Sequence, residues 1–238
     1  MAEPVNSSPL DCQPERPVWI KICGIRDLAT AQAVADAGAD AIGLNFYSPS
    51  PRSVTPETAR QISLNLPGSI ERVGLFVNHP LETVLTVSRE CGIQSVQLHG
   101  DEPAEFVARV AVEFPVLRAF RVSDSGMHEV VECLGKLSAL GVRLRAALVD
   151  SRVAGRYGGT GQTAPWDLLQ AQWNHAEWPP LVLAGGLNPA NVAQAIGIVR
   201  PWGVDVAGGV ESAVACKDLA MVREFVFHAR NAGRQTAT

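Results

Sequence analysis

The sequence predicts a single α/β domain, a (β/α)8 TIM barrel of parallel strands. Three observations carry that expectation. Eight short apolar or β-branched runs alternate with longer segments of helical period from residue 18 onward. The 238-residue length suits one barrel, since such folds run to roughly 200 to 250 residues as one unit. The first strand-to-helix turn, KICGIRD, lacks the GxGxxG that an open, doubly wound dinucleotide sheet favours there.

The expected strands, in order, are 18–23 (VWIKIC), 40–46 (DAIGLNF), 72–77 (RVGLFV), 93–98 (IQSVQL), 115–121 (PVLRAFR), 144–150 (LRAALVD), 181–185 (LVLAG) and 203–207 (GVDVA). Helical segments fall near 28–37, 56–65, 81–91, 102–112, 127–140, 165–172, 189–199 and 217–230. Asp27, Thr55-Pro56 and Asn188-Pro189 supply a capping side chain at or near a first-turn proline. Gly38, Gly92 and Gly141 fit helix ends, where a left-handed residue is needed. Strictly alternating strands and helices require a parallel sheet, and eight such units close into a barrel.

Residues 1–17, with Pro4, Pro9, Pro14 and Pro17 among small polar and acidic residues, read as a flexible leader without the apolar stretch of a secretory signal. The barrel is expected over 18–232, with a flexible tail at 233–238. Composition narrows the function classes. A net charge of −4 with no Lys/Arg-rich stripe excludes polyanion binding as the main task, so nucleic acid is not expected as a partner. The chain has no membrane-length apolar run, and no membrane association is expected. Five cysteines (12, 23, 91, 133, 216) without a CxxC pair argue against disulfides and structural zinc and suit the cytoplasm.

In a parallel barrel, catalytic groups project from the C-terminal ends of the strands. Cys23 and Asp150 close the first and sixth apolar runs, and are the two candidate proton carriers on that ground alone. Lys21, two residues before Cys23, faces the same side, where an ammonium would favour the thiolate. The last two strands both end in Ala-Gly-Gly, giving Gly185, Gly186, Gly208 and Gly209 as a phosphate cradle. The long loop 151–164 is glycine-rich but is no Walker motif, because Arg156 stands where the first glycine should be and Gln162 replaces the lysine. A cover over the barrel mouth is its expected role. His99 ends the fourth strand, but a metal site needs at least three protein ligands and no triad is in view, so no metal is expected.

Taken together and in order, KICG (21–24), SPR (50–52), QLHG (97–100), LVD (148–150), GGTG (158–161), GGL (185–187) and GVDV (203–206) give the chain a strong resemblance to the phosphoribosylanthranilate isomerases of tryptophan biosynthesis, over about residues 18 to 230. The resemblance implies an Amadori rearrangement of N-(5-phosphoribosyl)anthranilate to 1-(2-carboxyphenylamino)-1-deoxyribulose 5-phosphate, with no cofactor and no metal. It implies Asp150 as the acid, Cys23 as the base and Arg52 as the clamp for the anthranilate carboxylate. Lys21, His99 and Asp205 are given minor roles. The expected partner is a phosphorylated small molecule, with monomer and homodimer both open.

One departure stands out: family members often carry a Ser-Ser pair after the strand 8 Asp-Val, where this chain has Ala207-Gly208. Hydroxyl contacts to phosphate are lost there while backbone N–H donors remain. The rival enzyme is the related histidine-pathway isomerase, whose substrate bears two phosphates and calls for a second cradle. Neither Asn78-His79-Pro80 nor His99-Gly100-Asp101 offers a glycine pair for one. The rival of another class is a noncatalytic barrel that senses a sugar phosphate. Arg52 and the glycines are expected to hold opposite ends of the substrate, with Arg52 nearly across the mouth from strands 7 and 8.

Overall fold

The computed structural model describes residues 18–122, 126–151 and 165–235. Eight parallel strands close on themselves in sequence order. They are β1 (Trp19–Cys23), β2 (Ala41–Asn45), β3 (Glu71–Phe76), β4 (Ser95–Leu98), β5 (Val116–Val122), β6 (Ala146–Ser151), β7 (Leu181–Leu183) and β8 (Gly203–Val206). The barrel shuts by pairing β1 with β8, and the register sets Lys21 opposite Asp205. The intervening helices are α1 (Leu28–Asp36), α2 (Pro56–Leu64), α3 (Leu81–Glu90), α4 (Ala104–Ala111), α5 (His128–Ala139), α6 (Trp166–Gln172), α7 (Val192–Val199) and α8 (Leu219–Gln235). The (β/α)8 expectation therefore holds, strand for strand.

Strand alternation sorts the side chains into two cores. Ile20, Ile22, Ile42 and Leu44 point outward and pack with helix residues such as Ala31, Val34, Ala59 and Ile62. Each such aliphatic side chain contributes roughly 1.5–3 kcal/mol on burial. The residues between them point inward, where Trp19, Ala41, Val73, Leu117, Ala146 and Val182 fill the lower barrel. Apolar on both faces, the strands read as near-continuous hydrophobic runs. Further along the same inward rows the residues turn polar: Lys21 on β1, Gln97 on β4, Asp150 on β6 and Asp205 on β8 are all buried.

Two of the three helix starts expected from capping residues carry the cap, and the third does not. The Asp27 carboxylate accepts from the Thr30 N–H, and the Thr55 hydroxyl accepts from the Thr58 N–H with Pro56 in the first turn. Asn188, expected to open the seventh helix, instead accepts from the Ala190 and Asn191 N–H groups and closes a turn. That turn delays α7 to Val192. Gly38, Gly92 and Gly141 take φ of 87°, 64° and 70°, as helix ends require. Helix α8 runs to Gln235, five residues past the expected end and into the stretch assigned to the tail. The expected leader at 1–17, with Cys12, and nearly all of the expected cover loop lie outside the described residues.

Between β8 and α8 the structure holds two elements absent from the sequence reading. A 3₁₀ turn covers Gly208–Val210, and a two-stranded antiparallel hairpin follows, β9 (Glu211–Ala213) with β10 (Cys216–Lys217). Lys217 pairs with Glu211 in its register. The hairpin was hidden because its strands are too short and too polar to show a period-2 pattern.

Candidate active site

The inward polar residues open onto one cavity of about 830 Å³ at the C-terminal mouth of the barrel. Cys23, Arg52, His99, Asp150, Asp205 and the four glycines 185, 186, 208 and 209 all line it. Lys21 lies one layer below, fully buried, and donates from Nζ to the Asp205 Oδ1 at 2.9 Å.

Cys23 ends β1 against Leu75, Val77, Tyr47 and Ala207. A side chain at Gly43, its neighbour on β2, would meet the Cys23 Sγ at 2.6 Å and the Lys21 Nζ at 3.1 Å, so only glycine leaves the thiol its space. Burial pushes the Cys23 thiol up; Lys21 and Lys217 pull it back, and Asp205 adds to the rise. The net direction is upward. The ammonium of Lys21 thus acts on the thiol in the expected sense, but desolvation outweighs it. Lys21 itself is pulled down by burial and pushed up further by Asp205 and Cys23, ending above its usual value and charged.

Asp150 stands at the end of β6, beside Arg121 on β5 in the strand register. The His99 Nε2 faces it, 3.9 Å from Oδ2. The other ring nitrogen, Nδ1, lies 3.0 Å from the Gln97 amide nitrogen. With that N–H donating, Nδ1 is the acceptor and Nε2 carries the proton. Burial first, then the charges of Arg121, Lys21 and Arg118, bring the imidazole down to about 3, so His99 is neutral at physiological pH. Its Nε2 has no hydrogen-bond partner among the described residues, a buried donor aimed at the acid side of the cavity.

Arg52 rises from the loop after β2. Pro49 and Pro51 stiffen this loop, and Asn45 and Ser50 pin it as well. The Asn45 Oδ1 accepts from the Tyr47 N–H at 2.9 Å, and the Ser50 Oγ accepts from the Arg52 N–H at 3.2 Å. The arginine stem lies on Gly24, whose φ is 79° and where a Cβ would stand 2.8 Å from the Arg52 Cδ. A Cβ at Gly208 would stand 3.3 Å from the Arg52 Nη2. The expected placement of Arg52 nearly across the mouth from strands 7 and 8 is therefore corrected. In a closed barrel β2 is separated from β8 only by β1, so arginine and glycine loop share one flank.

The two glycine turns fit edge to edge. Gly185 and Gly186 take φ of 81° and 63°. A Cβ at Gly209 would run into the Leu187 carbonyl oxygen, so the β8 turn can approach the β7 turn only without a side chain. Asn191 locks the β7 turn, donating from Nδ2 to the Gly186 carbonyl at 3.0 Å and accepting from the Asn188 N–H at 2.8 Å. The opening N–H groups of the 3₁₀ turn at Gly208 and Gly209 have no acceptor within that turn.

The opposite side of the mouth is filled by the chain's own charges. The Glu102 carboxylate accepts from the Asn78 N–H at 2.8 Å, the Gly100 N–H at 3.0 Å and the Arg118 Nη1 at 2.5 Å. Among the described residues, no group of three or more His, Cys, Asp or Glu side chains could hold a metal ion. No helix among them is long and apolar enough to cross a membrane.

A buried thiol and a carboxylate facing one cavity, with an arginine and paired glycine turns on its rim, define a barrel enzyme of the acid/base type with its site at the C-terminal mouth. Comparison with known proteins narrows this class. The family model for N-(5′-phosphoribosyl)anthranilate isomerase matches residues 20–228, and the chain belongs to that family. The N-(5′-phosphoribosyl)anthranilate isomerase of Geobacter metallireducens is 46% identical over 213 residues, covering 90% of this chain and 99% of its own. The solved phosphoribosyl anthranilate isomerase of Thermotoga maritima superposes with a TM-score of 0.79 at 37% identity, over 90% of this chain and 99% of its own. A phosphoribosyl anthranilate isomerase solved in complex with reduced 1-(o-carboxyphenylamino)-1-deoxyribulose 5-phosphate superposes with a TM-score of 0.77 at 36% identity, over the same shares.

Sequence reading missed Glu211, Lys217 and Gln97. Glu211 and Lys217 are six residues apart just after a glycine pair, and that opposite-charge spacing was the signal for a short cross-strand pair. Gln97 follows from strand alternation, two residues before His99 and on the same face.

Proposed function

We infer that the mouth of this barrel catalyses the family's Amadori rearrangement, converting N-(5-phosphoribosyl)anthranilate to 1-(2-carboxyphenylamino)-1-deoxyribulose 5-phosphate in L-tryptophan biosynthesis. The reaction needs one acid and one base. Asp150, protonated, gives its proton to the ribose ring oxygen as the C1′–O bond breaks, and the ring opens to a Schiff base. Cys23, as thiolate, takes the proton from C2′, and the electron pair left behind neutralises the iminium. The resulting enol then tautomerises to the ketose. The observation that carries this reading is that Cys23 and Asp150, on strands five steps apart in one direction and three in the other, face a single cavity.

Supporting roles follow from contact. Lys21 stabilises the thiolate against the cost of burial, and Asp205 holds Lys21. Neutral His99 presents its Nε2 proton to the Asp150 side without competing as a base. Arg52 grips the anthranilate carboxylate, and the N–H groups of Gly185, Gly186, Gly208 and Gly209 receive the phosphate, unaided by the hydroxyls that Ala207-Gly208 lacks. A substrate with a second phosphate is disfavoured, because Glu102 already occupies the backbone N–H donors across the mouth. A free thiol at the active centre suits a reducing cytoplasm.

The test is direct: purified chain is mixed with phosphoribosylanthranilate and the loss of its fluorescence followed. Loss in proportion to enzyme concentration is expected. Tight binding without turnover would instead make the chain a sensor of the sugar phosphate.

A further inference from the structure

Arg52 carries a long side chain whose rotamers its loop alone does not fix. Glu211 fixes them. The Arg52 Nε donates to the Glu211 Oε1 at 2.8 Å and Nη2 donates to Oε2 at 2.7 Å, a side-on fork. An arginine has five N–H donors. The fork takes the Nε proton and one from Nη2, which leaves the other Nη2 proton and both on Nη1. No described residue accepts from Nη1. The end-on edge of the guanidinium, the edge that grips a carboxylate through two parallel hydrogen bonds, is thereby kept open.

Glu211 is itself held on every side. Its Oε1 also accepts from the Lys217 Nζ at 2.7 Å, and its Oε2 from the Ala215 N–H at 3.1 Å. With two donors on each oxygen, the carboxylate has no further position to adopt. Lys217 donates in addition to the Ala207 carbonyl at 2.9 Å, which ties the hairpin to the end of β8. The Arg52, Glu211 and Lys217 side chains are 16%, 4% and 2% exposed. Two cations and one anion are thus largely removed from water with one positive charge in surplus, and the exposed part of that charge is Arg52 on the cavity wall. A buried surplus of this kind is relieved by an anionic ligand group. Burial alone would raise the Glu211 carboxyl, but the hydrogen bonds and charges of Arg52 and Lys217 bring it down to about 2, so the fork keeps its charge at any working pH.

We propose that Glu211 is a positioning residue of the reaction, holding Arg52 so that its end-on edge meets the aromatic carboxylate of the substrate, with Lys217 balancing the charge and anchoring the device to Ala207. This rests on the reading of Arg52 as the carboxylate clamp. Glu211 does not line the cavity and acts through Arg52 alone.

The experiment is a double-mutant cycle on the full chain, with KM and kcat measured for Arg52→Ala, Glu211→Gln and the pair. Glu211→Gln is expected to raise KM about tenfold in the wild-type background and less than about twofold once Arg52 is gone, with kcat falling less than KM rises. A rise in KM of the same factor in both backgrounds would mean a merely structural role and overturn the proposal. So would an unchanged KM in Glu211→Gln when Arg52→Ala raises it. An unchanged KM in Arg52→Ala would sink the clamp reading and the proposal with it. Because Glu211→Gln removes a buried charge, Glu211→Asp is measured alongside: it keeps the charge but withdraws the carboxylate by one methylene. An intermediate KM is expected there, and a wild-type KM contradicts the proposal.

Discussion

The two ends of the barrel use polar side chains in opposite ways. At the N-terminal end, Trp19 stacks on Trp202 with ring centroids 5.2 Å apart. Arg145 lies 5.8 Å and 5.5 Å from those two rings. The same arginine pairs with Glu71 at 2.6 Å, and Glu71 also accepts from the Ser95 hydroxyl. The groups of this cluster satisfy one another except for the Arg145 Nε, laid against the indoles; the Arg72 Nε at the start of β3 is likewise buried without a partner among the described residues. At the C-terminal end, the His99 Nε2 and the Gln97 Oε1 are buried without partners among the described residues, and Arg52 lines the cavity. Polar groups that pair internally stabilise a fold, whereas groups held ready but unpaired mark where a ligand completes the structure.

Substitutions at the two ends should therefore separate rate from stability. At the mouth, Asp150→Asn removes the proposed acid with little change of size, and kcat is expected to fall about 10²- to 10⁴-fold with the melting temperature nearly unchanged. At the floor, Trp19→Ala leaves a large cavity and is expected to cost roughly 3–5 kcal/mol of stability in denaturant unfolding, while the folded fraction keeps its kcat. A stable but inactive Trp19→Ala enzyme would blur the division of the barrel into a supporting and a reacting end.

A finer test concerns charge. As the proposed base, Cys23 must be deprotonated, so kcat/KM is expected to rise with pH as its thiol ionises. Lys21 lowers that thiol's pKa and Asp205 raises it. Lys21→Met removes the larger of the two lowering influences and leaves Asp205 opposed by Lys217 alone, so the rising limb should move to higher pH. A limb that stays in place would separate Lys21 from the thiol. The smallest expected effect is at the hairpin turn, where Ala215 sits at φ 61°, a left-handed conformation that costs a side chain roughly 1 kcal/mol. Ala215→Gly should raise stability by up to about that amount in thermal melts with KM unchanged. A lower melting temperature would mean that the turn is not strained.

The same contrast shows what was legible in the sequence. The barrel could be read because both faces of its strands are apolar and several helix ends carry the expected residue types, as at Asp27, Thr55 and Gly141. That Cys23, Asp150 and the glycine turns meet at one cavity could be read because the strand ends of a parallel barrel share one face. The place of Arg52 beside the β8 loop was within reach as well, since the closed barrel that eight units imply leaves only β1 between β2 and β8. Two things could not be read. The net effect on Cys23 depends on how much water burial removes, which no residue pattern reports. The clamp of Arg52 by Glu211 joins residues 159 apart through a hairpin with strands of two and three residues. Asn188 misled for a local reason, its side chain closing a turn before the helix rather than the helix itself.

The central claim is that the Cys23 thiol, presented at the mouth by β1, is the base that takes the C2′ proton. Replacing sulfur by oxygen in Cys23→Ser keeps the shape but leaves a group that does not ionise near neutral pH. The decisive measurement is kcat of Cys23→Ser in the fluorescence assay, alongside its melting temperature. A loss of at least about 100-fold with a wild-type melting curve is predicted. Turnover at the wild-type rate in that folded variant would contradict the account.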